Sequence, residues 1–129
     1  MGNYTIMRII STKIHGVMDY LLGILLIGSP WLLGFANNGP EMWVPVIVGI
    51  AILLQSIMTD YELGIVKKIP MSAHLGMDVI AGIILAASPW LFGFSDYITT
   101  PHVFFGILEI GAGLMTKVSP SHSRNIAGI

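Results

Sequence analysis

Four long apolar stretches dominate this sequence of 129 residues and restrict it to few kinds of fold. A helix needs roughly 20 apolar residues to cross the hydrocarbon core of a bilayer, and the second and fourth stretches are slightly shorter than that. Only 10% of the residues are charged and 54% are apolar, whereas soluble domains are about a quarter charged. We therefore predict an all-α membrane protein with four transmembrane helices, at about residues 14–33, 43–59, 73–92 and 101–116.

The composition also excludes several other classes of protein. It is too apolar for a disordered chain, a coiled coil or an ordinary cytosolic enzyme domain. The chain has no cysteine, which rules out disulfides, thiolate catalysis and cysteine-ligated metal clusters. A net charge of −1 gives no sign of a nucleic-acid partner. We find no catalytic constellation and predict a protein that is not an enzyme, with no cofactor and no metal assigned.

The lysines and arginines predict the orientation of the helices. They precede the first span, lie between the second and third, or follow the fourth, and the two other connections have none. Since basic loops stay on the cytoplasmic side, we expect both termini in the cytoplasm. The first span is too long for a signal peptide and no small-residue cleavage site follows it. The six residues are Arg8, Lys13, Lys67, Lys68, Lys117 and Arg124.

The sequence contains an internal duplication. A shift of 59 residues aligns His15–Phe35 with His74–Phe94 without a gap, with 12 of the 21 positions identical. Each unit is then a helical hairpin, and two hairpins of the same orientation form a parallel repeat about an axis along the membrane normal. We predict one transmembrane domain over residues 1–129, a four-helix bundle with repeats at about 12–60 and 71–117 and a short cytoplasmic tail at 118–129.

A tripeptide at matching positions of the two repeats identifies a family. Ser29-Pro30-Trp31 is repeated as Ser88-Pro89-Trp90. The chain resembles the SPW repeat family, small prokaryotic membrane proteins that carry this tripeptide in the first of two transmembrane helices of each unit. The resemblance covers about residues 12–117 and implies a multi-pass protein of the prokaryotic cytoplasmic membrane. It implies no established activity.

The residues of this motif have a physical explanation. Proline lacks an N–H, so Pro30 leaves the carbonyl of Leu26 without its helical partner. A serine hydroxyl one residue earlier can bond back into the preceding turn. We expect the tryptophans to anchor the outer ends of the helices in an aromatic belt, formed by Trp31, Phe35, Trp43, Trp90, Phe94 and Tyr97.

Two pairs of ionisable residues lie within the predicted spans. His15 and Asp19, like His74 and Asp78, are four residues apart, so each pair shares one helix face. The pseudo-two-fold axis can bring these two faces together. Three interpretations stay open: structural polar contacts between helices, a path for protons or cations, and a ligand pair for a metal or haem.

The duplication does not explain Glu109, because its counterpart in the first repeat is Ile52. It lies near the middle of the fourth span, where an exposed charge costs at least ~2.5 kcal/mol, so we expect a neutral side chain. That side chain either bonds a backbone group or Gln55, or forms a proton or ligand site. We expect His102, at the outer end of the same helix, to be interfacial.

Three functions are consistent with these patterns. The first is a structural or accessory membrane component in contact with the lipid bilayer, as a homo-oligomer or in a larger membrane complex. The second is a small proton or cation transporter or channel that uses Asp19, Asp78 and Glu109. The third is a redox module that binds haem or quinone through His15 and His74.

Overall fold

The computed structural model describes residues 7–120, and this part of the chain contains four α-helices and no strand. The helices are α1 (Thr12–Leu32), α2 (Pro40–Met58), α3 (Met71–Leu91) and α4 (Thr100–Met115). The predicted all-α membrane fold is confirmed. Helices α1 to α3 are long and apolar enough to cross a membrane, and α4 is apolar but shorter. Arg124 and most of the predicted tail at 118–129 lie outside the described residues.

The observed helices begin up to three residues before the predicted spans. Ser11 caps α1, and its hydroxyl accepts a hydrogen bond from the Ile14 amide at 3.1 Å. Helix α2 begins at Pro40, where a proline fits because the first-turn N–H groups have no helical partner. The hydropathy pattern therefore located the apolar spans, and each helix begins one to three residues before its predicted span.

Glycines allow the two helices of each hairpin to pack closely. Helix α1 packs on α2 and α3 packs on α4. A Cβ atom on Gly82 would lie 2.7 Å from the carbonyl oxygen of Gly106, and one on Gly49 would lie 2.7 Å from that of Gly23. These four glycines occupy equivalent positions of the repeats. These glycines thus allow the two helices of each hairpin to approach closely.

The chain segments that precede α1 and α3 are held in equivalent ways. Ile69 accepts a bond from the Asp60 amide and donates to Met58, each at 2.8 Å, beside the end of α2. Ile10 accepts from the Lys117 amide at 2.8 Å and donates to Met115 at 3.0 Å, beside the end of α4. Each repeat therefore begins against the second helix of the other repeat. We call this end of the bundle the basic end, since the described lysines and Arg8 lie there.

The Ser-Pro-Trp tripeptides lie at the opposite end and behave as predicted. The Ser29 hydroxyl donates to the Leu26 carbonyl at 2.8 Å, and the Ser88 hydroxyl donates to the Leu85 carbonyl at 2.7 Å. Each serine thus supplies the hydrogen bond that the following proline cannot make. The tryptophans point outward, with exposed fractions of 62% for Trp31 and 61% for Trp90. Serine and proline shape the helix end while tryptophan faces the surroundings.

The aromatic belt is smaller than predicted, because two phenylalanines turn inward. Phe35 is 2% exposed and Phe94 is 5% exposed, so their assignment to the belt was wrong. The preceding residues Gly34 and Gly93 have φ angles of 80° and 75°, a left-handed conformation that glycine adopts without strain. This conformation reverses the chain after each Ser-Pro-Trp motif and directs the next side chain into the bundle.

His102 is also buried rather than interfacial, with 1% of its surface exposed. Its ring lies between those of Phe35 and Phe94, at centroid distances of 5.3 Å and 4.8 Å. Its Nε2–H donates to the backbone carbonyl of Glu41 at 2.8 Å. The inward turn of the two phenylalanines therefore covers the histidine and closes this end of the bundle.

A methyl group at the contact between α3 and α4 should destabilise the bundle. We expect Gly82→Ala to lower the free energy of unfolding by about 1–3 kcal/mol, because the new Cβ meets the Gly106 carbonyl at 2.7 Å. Gly76→Ala on the same helix is the control, since nothing lies within 4 Å of its added Cβ. Unfolding in mixed detergent micelles measures both variants. Equal stability would contradict the close packing.

Removal of a motif hydroxyl should also destabilise the helix end. Ser88→Ala leaves the carbonyl of the fully buried Leu85 without a donor, and we expect a loss of about 1–3 kcal/mol. Ser72→Ala, at an exposed position of the same helix, is the matched control and should leave thermal unfolding unchanged. If the two variants unfold alike, the serine does not compensate for the proline.

Candidate functional site

Four ionisable side chains meet in the interior of the bundle near its basic end. His15 and Asp19 come from α1, and His74 and Asp78 come from α3. None of them is more than 1% exposed. The structure thus brings together both pairs that the sequence singled out. We call these four residues the His–Asp cluster.

Each carboxylate lies between a histidine of its own helix and the histidine of the other repeat. His15 Nε2 lies 2.8 Å from Asp78 Oδ2 and 3.0 Å from Asp19 Oδ2. His74 Nε2 lies 2.7 Å from Asp19 Oδ2 and 3.2 Å from Asp78 Oδ2. For each histidine, the shorter of its two distances is the one to the aspartate of the other repeat. The cluster therefore joins the two hairpins as well as the neighbouring turns of one helix.

Two threonines determine which nitrogen of each histidine carries a hydrogen. The Thr116 hydroxyl donates to the Ala112 carbonyl at 2.6 Å, and the Thr59 hydroxyl donates to the Gln55 carbonyl at 2.7 Å. With its hydrogen used in this way, each hydroxyl can only accept a bond from the facing histidine Nδ1, which lies 2.7 Å away. Both histidines must then carry the hydrogen on Nδ1.

The remaining nitrogens, His15 Nε2 and His74 Nε2, face only carboxylate oxygens within the cluster. A bare nitrogen lone pair and an ionised carboxylate repel each other at these distances, so each histidine–aspartate pair needs a proton or a cation between its atoms. Two such charges neutralise the two carboxylates in surroundings from which water is excluded. The four donor atoms lie within 4.8 Å of one another, so they could also hold one metal ion.

Hydrogen bonds from α2 support the aspartates unequally. The Gln55 amide donates to Asp78 and lies 3.5 Å from the His74 carbonyl. The Ser56 hydroxyl donates to Asp19 at 3.4 Å. The equivalent positions of α4 are Ala112 and Gly113, which have no such groups. Among the alternatives for Glu109, the bond to Gln55 is not observed, because the Gln55 amide bonds Asp78 instead.

Glu109 lies beside the cluster, fully buried, and neither of its carboxyl oxygens has a hydrogen-bond partner among the described residues. It is close enough to Asp19 and Asp78 to interact with both electrostatically. Glu109 and Asp19 line a cavity of about 300 Å³ between α1 and α4, which Ala112 leaves open. The sequence placed Glu109 within a span and did not show that it adjoins the aspartates.

The connection between α2 and α3 covers part of the cluster. Tyr61 is fully buried, with its ring centroid 5.9 Å from that of His74. Burial raises the pKa of the Tyr61 phenol well above its usual value, so a neutral hydroxyl faces the site. The Thr12 hydroxyl lies 2.7 Å from each carboxylate oxygen of Glu62 and donates its one hydrogen to this carboxylate. These contacts hold the connection over one side of the cluster.

The two threonines were not predicted as site residues, although the duplication contains a signal for them. Met58-Thr59 recurs as Met115-Thr116 at the equivalent position of the second repeat. Polar residues repeated at the ends of α2 and α4 face the repeated histidines near the starts of α1 and α3. For Tyr61 and Glu62 the sequence offers no comparable signal, because they lie in a connection outside the repeat.

The comparisons with known proteins agree with this architecture. The model of the SPW repeat domain matches residues 13–116, which include all four helices except Thr12, the first residue of α1. No curated protein and no solved structure matches the chain. The match extends over both Ser-Pro-Trp motifs and the whole His–Asp cluster, so the chain belongs to the SPW repeat family.

Proposed function

We propose that this chain is a structural or accessory component of the prokaryotic cytoplasmic membrane, without enzymatic activity, and that the His–Asp cluster locks its two hairpins together. The crossed geometry supports this role, since the shortest contacts of His15 and His74 reach the aspartate of the other repeat. The direct helix contacts between the two hairpins are mostly those between α2 and α3. A buried polar link between α1 and α3 therefore adds a second, separate connection between the hairpins.

The charge distribution supports an orientation with both termini in the cytoplasm. The described lysines and Arg8 lie at the basic end, and the Arg8 guanidinium donates to the Thr116 carbonyl at 2.7 Å. Basic residues are retained on the cytoplasmic side during insertion. The outward tryptophans then lie at the opposite interface. An accessory role also includes contact with a second copy or a larger membrane complex, because four helices leave much apolar surface exposed.

A double-mutant cycle tests the lock between repeats. His15→Asn and Asp78→Asn should each lower the free energy of unfolding by about 3–5 kcal/mol, because either change leaves the other partner buried without its counter-charge. The double variant should lose much less than the sum of the two losses. Unfolding of the purified protein in mixed micelles gives all three values.

Asp96→Asn serves as the control, because Asp96 is exposed and lies in the connection between α3 and α4. It should combine additively with His15→Asn. Strict additivity of His15→Asn and Asp78→Asn would show that the two repeats are not coupled through the cluster, and would contradict the proposed function.

A second candidate function, movement of protons or cations, is favoured by one specific observation. Neither carboxyl oxygen of Glu109 has a hydrogen-bond partner among the described residues, and its side chain shares a cavity with Asp19, while the equivalent position of the first repeat is Ile52. A buried carboxyl without a partner costs about 1–3 kcal/mol or more. A group retained at that cost within a membrane is often part of an ion or proton pathway.

Flux measurements test this second candidate. If Asp19, Asp78 and Glu109 carry protons or cations, proteoliposomes should show flux above that of empty vesicles, and Glu109→Gln should abolish it without loss of folding. Asp96→Asn should leave the flux unchanged. Flux that is absent from the wild type, or unaffected by Glu109→Gln, would eliminate this candidate and leave the structural role in place.

The third hypothesis, haem or quinone bound through His15 and His74, receives no support from this geometry. Both Nε2 atoms lie within 3.2 Å of the same carboxylate oxygens. A porphyrin held between the two histidines would have to displace both aspartates. The two aspartates occupy the ligand positions that such a group would need.

A further inference from the structure

The donor atoms of the His–Asp cluster form a closed ring in which nitrogen and oxygen alternate. The ring runs through His15 Nε2, Asp78 Oδ2, His74 Nε2 and Asp19 Oδ2, with edges of 2.8, 3.2, 2.7 and 3.0 Å. All four atoms lie within 4.8 Å of one another, although they come from two different helices. Separate hydrogen bonds between one histidine and one aspartate would not require all four atoms to lie so close together.

The size of the ring is close to that of the coordination sphere of a transition metal. In a tetrahedral zinc site with bonds of about 2.0–2.2 Å, the donor atoms lie about 3.3–3.6 Å apart. The edges of the ring are 2.7–3.2 Å long, so the ring would open by a few tenths of an ångström to admit the ion. Two neutral imidazoles and two carboxylates also balance the charge of a divalent cation, which matters in an interior without water.

The surroundings of the histidines provide an independent observation. Thr116 and Thr59 accept hydrogen bonds from the two Nδ1 atoms, because their own hydrogens are donated to helix carbonyls. This fixes the tautomer that presents Nε2 to the centre of the ring. Histidines that bind metals usually donate their other nitrogen to such an acceptor, which sets the ring orientation. Gln55 similarly holds the outer oxygen of Asp78.

We propose that the His–Asp cluster binds one divalent transition-metal ion of the zinc type, through the two histidine Nε2 atoms and one oxygen from each aspartate. Imidazole and carboxylate together suit this class of ion. Calcium takes six to eight oxygen ligands and magnesium retains several waters, which this small ring does not provide. The inference goes beyond the structural role, and that role does not depend on it.

Metal titration of the wild-type protein tests the proposal. The protein is purified with a tag free of histidine, treated with a chelator, and titrated with Zn²⁺ in competition with a chromogenic chelator. We expect one ion bound per chain. Co²⁺ in the same site should give the intense visible absorption of a four-coordinate ion, which distinguishes it from a loosely bound, octahedral ion at the surface.

Variants assign the binding to the cluster. Asp78→Asn should abolish stoichiometric binding, and Asp96→Asn should leave it unchanged. Because Asp78→Asn also weakens the fold, Thr116→Val provides a second measure: loss of the acceptor for His15 Nδ1 should weaken the affinity ~10–100-fold. Thr99→Val is its control, since the Thr99 side chain makes no capping bond.

Two results would overturn the proposal. One is a folded wild-type protein that binds no Zn²⁺ or Co²⁺ beyond the level of Asp78→Asn. The other is binding of unchanged affinity in both Thr116→Val and Asp78→Asn, which would place the ion elsewhere. If the wild-type protein binds no metal but the double-mutant cycle still shows coupling between His15 and Asp78, the structural role holds without a metal.

Discussion

The interior of a bilayer cannot hold isolated charges, and the architecture of this protein depends on that constraint. Two histidines and two aspartates are fully buried in a bundle with very few other charges. Burial of any one of these side chains alone costs much free energy, and this cost falls only when its partners complete the ring. The hairpins must therefore assemble in the one arrangement that brings α1 and α3 together at His15, Asp19, His74 and Asp78. Close glycine packing within each hairpin then determines the width of the bundle.

The duplication explains both the symmetry of the cluster and its exceptions. Equivalent residues of two repeats meet at a pseudo-two-fold axis, so one His–Asp pair per repeat is sufficient to build a four-membered ring. The second helices have diverged: Gln55 supports one aspartate, whereas Ala112 leaves a cavity beside the other. Glu109 replaces the apolar Ile52 at the same level. Any function that requires a difference between the two sides of the cluster must depend on these differences between α2 and α4.

Much of the fold could be predicted from the sequence, because apolar length and basic flanks report directly on insertion into a membrane. The role of Ser29 was also predictable, since the missing N–H of Pro30 identifies the carbonyl that needs a donor. The inward turn of Phe35 was not, because it depends on the φ angle of Gly34 and on the space beside His102. Aromatic residues at a helix end look alike in sequence whether they face lipid or protein.

The candidate site was predictable in its members and not in its connections. The four-residue spacing placed each histidine with its own aspartate, but the crossed contacts depend on how closely α1 and α3 approach, which no periodicity gives. The threonines that orient the imidazoles act from the ends of α2 and α4, far away in sequence. Glu109 shows the same limit, because its depth could be counted along the helix while its nearness to both aspartates arises only from packing.

The two repeats share one ring of histidine and aspartate atoms, with both Nδ1 hydrogens directed at threonines. Solid-state NMR of the protein in bilayers, labelled with ¹⁵N in histidine and ¹³C in aspartate, tests this arrangement directly. We expect a through-space correlation between His15 Nε2 and the carboxyl carbon of Asp78, and protonated Nδ1 atoms on both His15 and His74. Correlations confined to His15–Asp19 and His74–Asp78, or an unprotonated Nδ1 on either ring, would contradict it.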